Sequence, residues 1–143
     1  PIRIEVEARG GLNLIPIDYC VEAFMALRED GLDGGIFHLV NPRPKRIEDI
    51  IAYAEPFFHL RGIEACGAKA FAARPRNSLE TLYDSYLEAY RPYMQDPRTF
   101  AVHNSGPVLE RRGLTCPEFD RDMFDRCMSF AVEAGWGTRL FSV

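Results

Sequence analysis

The sequence predicts an α/β fold, a small sheet of short strands packed with several helices. Three observations carry this. Ile2, Ile4, Val6 and Ala8 alternate with Arg3, Glu5, Glu7 and Arg9, the period-two signature of a half-buried strand. Two apolar runs follow, residues 12–17 and 36–40, each preceded by a Gly-Gly pair. Past residue 77, apolar residues recur at spacings of three and four, the mark of amphipathic helices.

The elements follow in order. Gly10-Gly11 turns the first strand. Residues 12–17, Leu-Asn-Leu-Ile-Pro-Ile, make a second and more apolar strand. Pro16 lacks an N–H for the ladder and marks an edge or the point where pairing stops. Asp18 has the chemistry to N-cap a helix over residues 19–30, with Cys20, Ala23, Phe24 and Leu27 inward and Gly31 as the stop. Residues 36–40 form a short strand that ends in the loop Asn41-Pro42-Arg43-Pro44. A helix then places Ile47, Ile50, Ile51, Ala54 and Phe58 on one face and is kinked or divided at Pro56. Residues 63–66 fit a further short strand, and the alanine-rich stretch 67–76 reads as an irregular connection.

Asn77 and Glu80 have capping-box spacing and open a helix to about residue 90, striped by Leu79, Leu82, Tyr83, Tyr86, Leu87 and Tyr90. Residues 99–102 read as extended. Ser105 with Pro107 starts a short helix ending near Gly113. A last helix turns Phe119, Met123, Phe124, Cys127 and Phe130 inward and stops at Gly135. No repeat or second domain interrupts the pattern, so residues 1–143 are expected to form one domain.

Composition narrows the function. A chain of 143 residues with 47% hydrophobic content can bury a core. A net charge of −4 gives no general attraction to nucleic acid or to an anionic membrane, and neither is expected as a partner. No apolar run approaches the ~20 residues of a membrane span. Cys20, Cys66, Cys116 and Cys127 are widely spaced without a Cys-x-x-Cys pair. They read as reduced core thiols of a cytoplasmic protein, with no metal site. The chain opens with Pro1 and no Met or signal-peptide pattern, so a processed terminus or a piece of a longer protein is expected.

The run Leu12-Asn13-Leu14-Ile15-Pro16-Ile17-Asp18-Tyr19, taken with Gly34-Gly35-Ile36-Phe37-His38-Leu39-Val40-Asn41-Pro42, resembles the carboxy-terminal half of extended short-chain dehydrogenase/reductases. The match is best over residues 2–62, and the helical segment 77–135 fits more loosely. In that superfamily a glycine-rich turn holds the dinucleotide pyrophosphate, and a Tyr-x-x-x-Lys pair transfers the proton. Neither is here: Lys45 and Lys69 are preceded at that spacing by Asn41 and Ala65. The resemblance therefore implies the carboxy-terminal, substrate-side portion of a Rossmann-type reductase, without its dinucleotide-binding half. No catalytic residue is assigned, and the chain alone should be inactive. NAD(P) belongs to the parent enzyme and is not bound by this chain alone, and an amino-terminal dinucleotide-binding half is the implied partner.

Pro-Ile-Asp-Tyr resembles the Pro-Val-Asp-Tyr of the fatty acyl-CoA reductase ("male sterility") and thioester-reductase branch. Sugar-nucleotide epimerases and dehydratases, the alternative, carry an arginine and a histidine where Leu12 and Pro16 stand. An apolar lining suits an acyl chain better than a sugar diphosphate. The implied substrate is an acyl thioester or related carbonyl, with Asn13, Pro16, Asn41, Arg43 and Lys45 as substrate-binding positions. A non-catalytic binding or assembly domain is the third possibility. A severed sheet should expose an apolar edge and face, so a homo-oligomer is expected.

Ordinary roles compete at each of these positions. Asn41 sits at a strand's carboxyl end, where ligands gather, and it is also good turn chemistry beside Pro42. Arg43, Lys45 and Arg46 form a basic cluster that suits a coenzyme A or carrier phosphate, or a solvated loop. Asp18 caps a helix or orients substrate. His38 reads as a satisfied histidine, Cys116 with His103 as a pair linked only by proximity in sequence, and the tyrosine stripe as helix packing.

Overall fold

The computed structural model describes residues 1–6, 11–30 and 34–136. It is a small α/β arrangement with two strands and seven helices among those residues: β1 (Ile2–Glu5), α1 (Ile17–Glu29), α2 (Ile47–Phe57), β2 (Ile63–Cys66), α3 (Ala68–Ala72), α4 (Ser78–Leu87), α5 (Arg91–Met94), α6 (Gly106–Arg111) and α7 (Arg121–Glu133). The expected extension of the first strand to Arg9, the turn at Gly10 and the helix stop at Gly31 lie outside the described residues.

The strands pair in parallel, Ile2 opposite Ile63 and Glu5 opposite Cys66. The backbone N–H groups of Ile2 and Val6 donate to Gly62 O and Cys66 O, so that of Arg3 points away from β2. Each outer edge then meets a carboxylate: Glu80 accepts from Arg3 N at 3.0 Å, and Glu55 from Ile63 N at 3.1 Å. A carboxylate at these positions obstructs strand addition, so the exposed edge expected of a severed sheet is partly closed.

Arg3 and Glu80 form a buried bidentate pair at 2.7 and 2.8 Å, and Glu80 is only 2% exposed. The remaining guanidinium donors reach the carbonyls of Phe71, Arg74 and Pro75, so the charge is compensated on all sides. Within stretch 67–76, expected to be irregular, residues 68–72 form α3, with Phe71 buried beneath the guanidinium groups of Arg3 and Arg76; residues 73–76 are irregular as expected.

Two apolar cores result. Ile4, Val6 and Ile47 are joined by Leu12, Ile51, Ile63, Ala65, Leu87 and Met94. Tyr19, Ala23, Ala26 and Leu27 of α1 pack with Val108 and Leu109 of α6 and with Cys116. Arg111–Asp30 and Arg112–Glu29 ion pairs tie the ends of α1 and α6 together.

Several sequence expectations are corrected. Residues 12–17 and 36–40 are not strands; the first of these runs contributes only a bridge from Leu12 to Lys45. Residues 99–102 are likewise without a ladder. Pro16, not Asp18, is the N-cap of α1, and Asp18 sits in the first turn, accepting from Tyr19 N at 2.9 Å. There its charge still suits the helix dipole. α1 buries Tyr19 and Ala26 where Cys20 and Phe24 were expected, and Phe24 stands in solvent. Pro56 lies in the last turn of α2, where it does not divide the helix. The capping box at Asn77 and Glu80 is formed, yet Leu79, Leu82, Tyr83 and Tyr86 of α4 face outward, while Glu80 and Leu87 face in. α7 buries Phe124, while Cys127 and Phe130 are exposed. No helix among the described residues is long and apolar enough to cross a membrane.

Candidate functional site

Four of the five predicted binding residues meet at one junction between loops. Asn13 Nδ2 donates to Asn41 O at 2.8 Å and Asn41 N donates to Asn13 Oδ1 at 2.9 Å, a side chain imitating one rung of a ladder. Asn41 Nδ2 donates to the carbonyls of Leu14 and Pro117, and its Oδ1 accepts from Arg43 N at 3.0 Å. Asn41 is 2% exposed with its side chain fully committed, so it works as a fastener rather than a ligand contact.

Lys45 is tied to Leu12 through both backbone groups, at 2.8 and 2.9 Å. Its ammonium donates to Glu118 Oε1 at 2.9 Å and approaches the Tyr53 hydroxyl at 3.5 Å. The Glu118 hydrogen bond raises the Lys45 pKa against the desolvation that lowers it, and the same contact lowers that of Glu118. Lys45 does meet a tyrosine, but one eight residues downstream on α2, with the amine already committed to a carboxylate. Arg43 reaches Glu118 only at 4.0 Å and is exposed, which leaves it the cation at this junction most open to an anionic ligand. Pro16 stands apart, half-buried, its carbonyl accepting from Cys20 N at the head of α1.

Sequence reasoning missed Glu118, Tyr53 and Pro117. Nothing local in Thr115-Cys116-Pro117-Glu118 signals that this segment folds back onto residues 41–45. The Cys116 thiol is buried and pushed upward by that burial; it points to the Pro117 carbonyl at 3.6 Å, not to His103. Burial of this kind marks an inert thiol. His38 bonds Ala101 O at 3.0 Å and tilts against Phe100, while its own carbonyl accepts from Ser105 Oγ. All four cysteines are free. No three His, Cys, Asp or Glu side chains gather as a metal site among the described residues.

A cleft of about 750 Å³ opens elsewhere, at the carboxyl ends of β1 and β2, between Val6, Gly67, Ala70 and Gln95. The residues present do not fit a dinucleotide there: one glycine, Gly67, follows β2, and the helix it opens has five residues. No family model, curated protein or solved structure matches this chain.

Proposed function

We propose that this chain is the substrate-side portion of an NAD(P)-dependent extended short-chain reductase that acts on an acyl thioester or related carbonyl. The observation that carries the proposal is an unfinished layer. Residues 12–17 and 36–40 are apolar and without a strand ladder beyond the Leu12–Lys45 bridge, and they are fastened side by side by Asn13 and Asn41. Between them in the chain, α1 buries Ala23 and Leu27, while Ile17, Val21, Phe24 and Met25 stand exposed beside Asp18, Glu22 and Arg28. An exposed cluster of large apolar side chains of this kind suits a surface that another domain covers. A dinucleotide-binding half would complete the layer by extending its sheet along residues 36–40 and seating on the outer face of α1. It would also bring the cofactor site and the tyrosine–lysine pair that this sequence does not contain.

In this arrangement Arg43 receives the phosphate of a coenzyme A or carrier arm, Asn13 and Asn41 fix the loop that presents it, and Pro16 borders the acyl chain. The test joins the chain to a dinucleotide-binding half and follows NAD(P)H oxidation and thermal stability. Acyl-CoA should support turnover and raise Tm, and Arg43→Ala should weaken that protection at least fivefold in ligand concentration. Protection by a UDP- or GDP-linked sugar instead would assign the sugar-nucleotide branch. A chain that no such half stabilises would favour the non-catalytic assembly domain.

A further inference from the structure

We infer that Arg43 and Lys45 form a two-cation receptor for the dianion of a phosphate monoester, and that Glu118 sets this specificity by occupying the receptor until such a dianion displaces it. The inference rests on Arg43 as the phosphate contact of the proposed reductase. One carboxylate spans both cations: Glu118 Oε1 accepts from Lys45 Nζ at 2.9 Å, and Oε2 lies 4.0 Å from Arg43 Nη1. Two oxygens of a phosphate would meet the cations in the same way. Glu118 is free to swing aside, because it stands in the connection between α6 and α7 and its side chain is 52% exposed. The cations stay in place without it. Lys45 is anchored by its backbone bonds to Leu12, and Asn41 Oδ1 holds Arg43 N at 3.0 Å.

The exchange discriminates by charge. A carboxylate or a phosphodiester carries one negative charge, so replacing Glu118 with either brings no electrostatic gain. A side chain tethered at the site also competes at high effective concentration. A phosphate monoester carries about −1.5 to −2 at about pH 7 and three acceptor oxygens, and it alone matches two cations. The Tyr53 hydroxyl, 3.5 Å from Lys45 Nζ, adds a neutral donor. Asp120, the other carboxylate whose charge reaches Glu118, is engaged at the head of α7, accepting from Met123 N at 2.9 Å. For the proposed reductase this selects coenzyme A, which carries a phosphate monoester, over a carrier arm attached through a phosphodiester.

The test titrates the full chain with methyl phosphate, dimethyl phosphate and acetate at constant ionic strength, reading the Arg43 side-chain N–H signal by NMR. At about pH 8 methyl phosphate should bind at millimolar concentrations while the two monoanions do not, and Arg43→Ala should abolish its binding. Glu118→Gln keeps an acceptor for Lys45. It should admit acetate and dimethyl phosphate and tighten methyl phosphate by about fivefold. Two readings need no variant. Methyl phosphate, but not acetate, should move the Glu118 carboxyl 13C signal toward that of a free glutamate. Its affinity should also fall roughly fivefold between about pH 8 and pH 5, as the ligand loses its second charge. Lys45 and Glu118 keep theirs across that range, since their contact raises the pKa of the first and lowers that of the second. Failure of methyl phosphate to bind, equal affinity for the three anions, or an unchanged selectivity in Glu118→Gln would overturn the inference. The reductase proposal stands or falls separately, on turnover and stability with its dinucleotide-binding half.

Discussion

Single residues do the joining in this molecule. Asn41 connects residues 13, 14, 43 and 117, four points brought together only by folding. Asn41→Ala removes three side-chain hydrogen bonds and strands two carbonyls and an N–H. It should destabilise the fold by about 2–4 kcal/mol, read as a lower urea midpoint at unchanged slope. Glu80 makes a second prediction, through pH. The Arg3 guanidinium, and then Asn77 N–H, hold its carboxyl far below the usual carboxylate range. Because the folded value is depressed, its contribution is complete above the unfolded value of about 4.3 and fades as pH falls below it. The wild-type chain should lose stability steeply from about pH 5 downward, and Glu80→Gln should flatten that acid limb. Leaving Arg3 buried and unpaired should also lower Tm at neutral pH by on the order of 10 °C.

At the scale of elements, local chemistry set the ends and tertiary contacts set the faces. The capping box at Asn77 was legible because both partners lie within one turn. The end of α2 was not. His59 closes it in the left-handed region, φ 54°, with Leu60 N donating to Glu55 O at 2.8 Å, a termination that normally recruits glycine. His59→Gly should therefore stabilise the chain by about 0.5–1 kcal/mol, seen as a rise of a few degrees in Tm. Inward stripes misled for the same physical reason in α1, α4 and α7. Periodicity locates an apolar face without saying whether anything in this chain covers it. Phe24, Tyr86 and Phe130 all lie on genuine stripes that face solvent.

At the scale of the whole molecule, two cores meet through the Leu12–Lys45 bridge and the loop of Glu118, with apolar surface left on α1 and α4. Phe24→Glu should leave stability within about 0.5 kcal/mol, since it exchanges one exposed side chain for another, and should reduce self-adhesion in light scattering. Loss of several kcal/mol in equilibrium unfolding would mean that Phe24 belongs to a core.

Most helices, a strand opening at residue 2, the strand at 63–66, the capping box and the loop of residues 41–44 were legible in the sequence, because each rests on residues close in the chain. The sequence also singled out Asn13, Pro16, Asn41, Arg43 and Lys45 as substrate-binding positions, without signalling that all but Pro16 meet at one junction. Only the tertiary structure decided what they do there. Hydrogen bonds donated to Leu14, Pro117 and Glu118, up to 76 residues away in sequence, turn Asn41 and Lys45 into fasteners and leave Arg43 open. The same holds for residues 12–17 and 36–40. Their strand-like composition is a local property, while strand formation needs a hydrogen-bonding neighbour that alternation cannot supply.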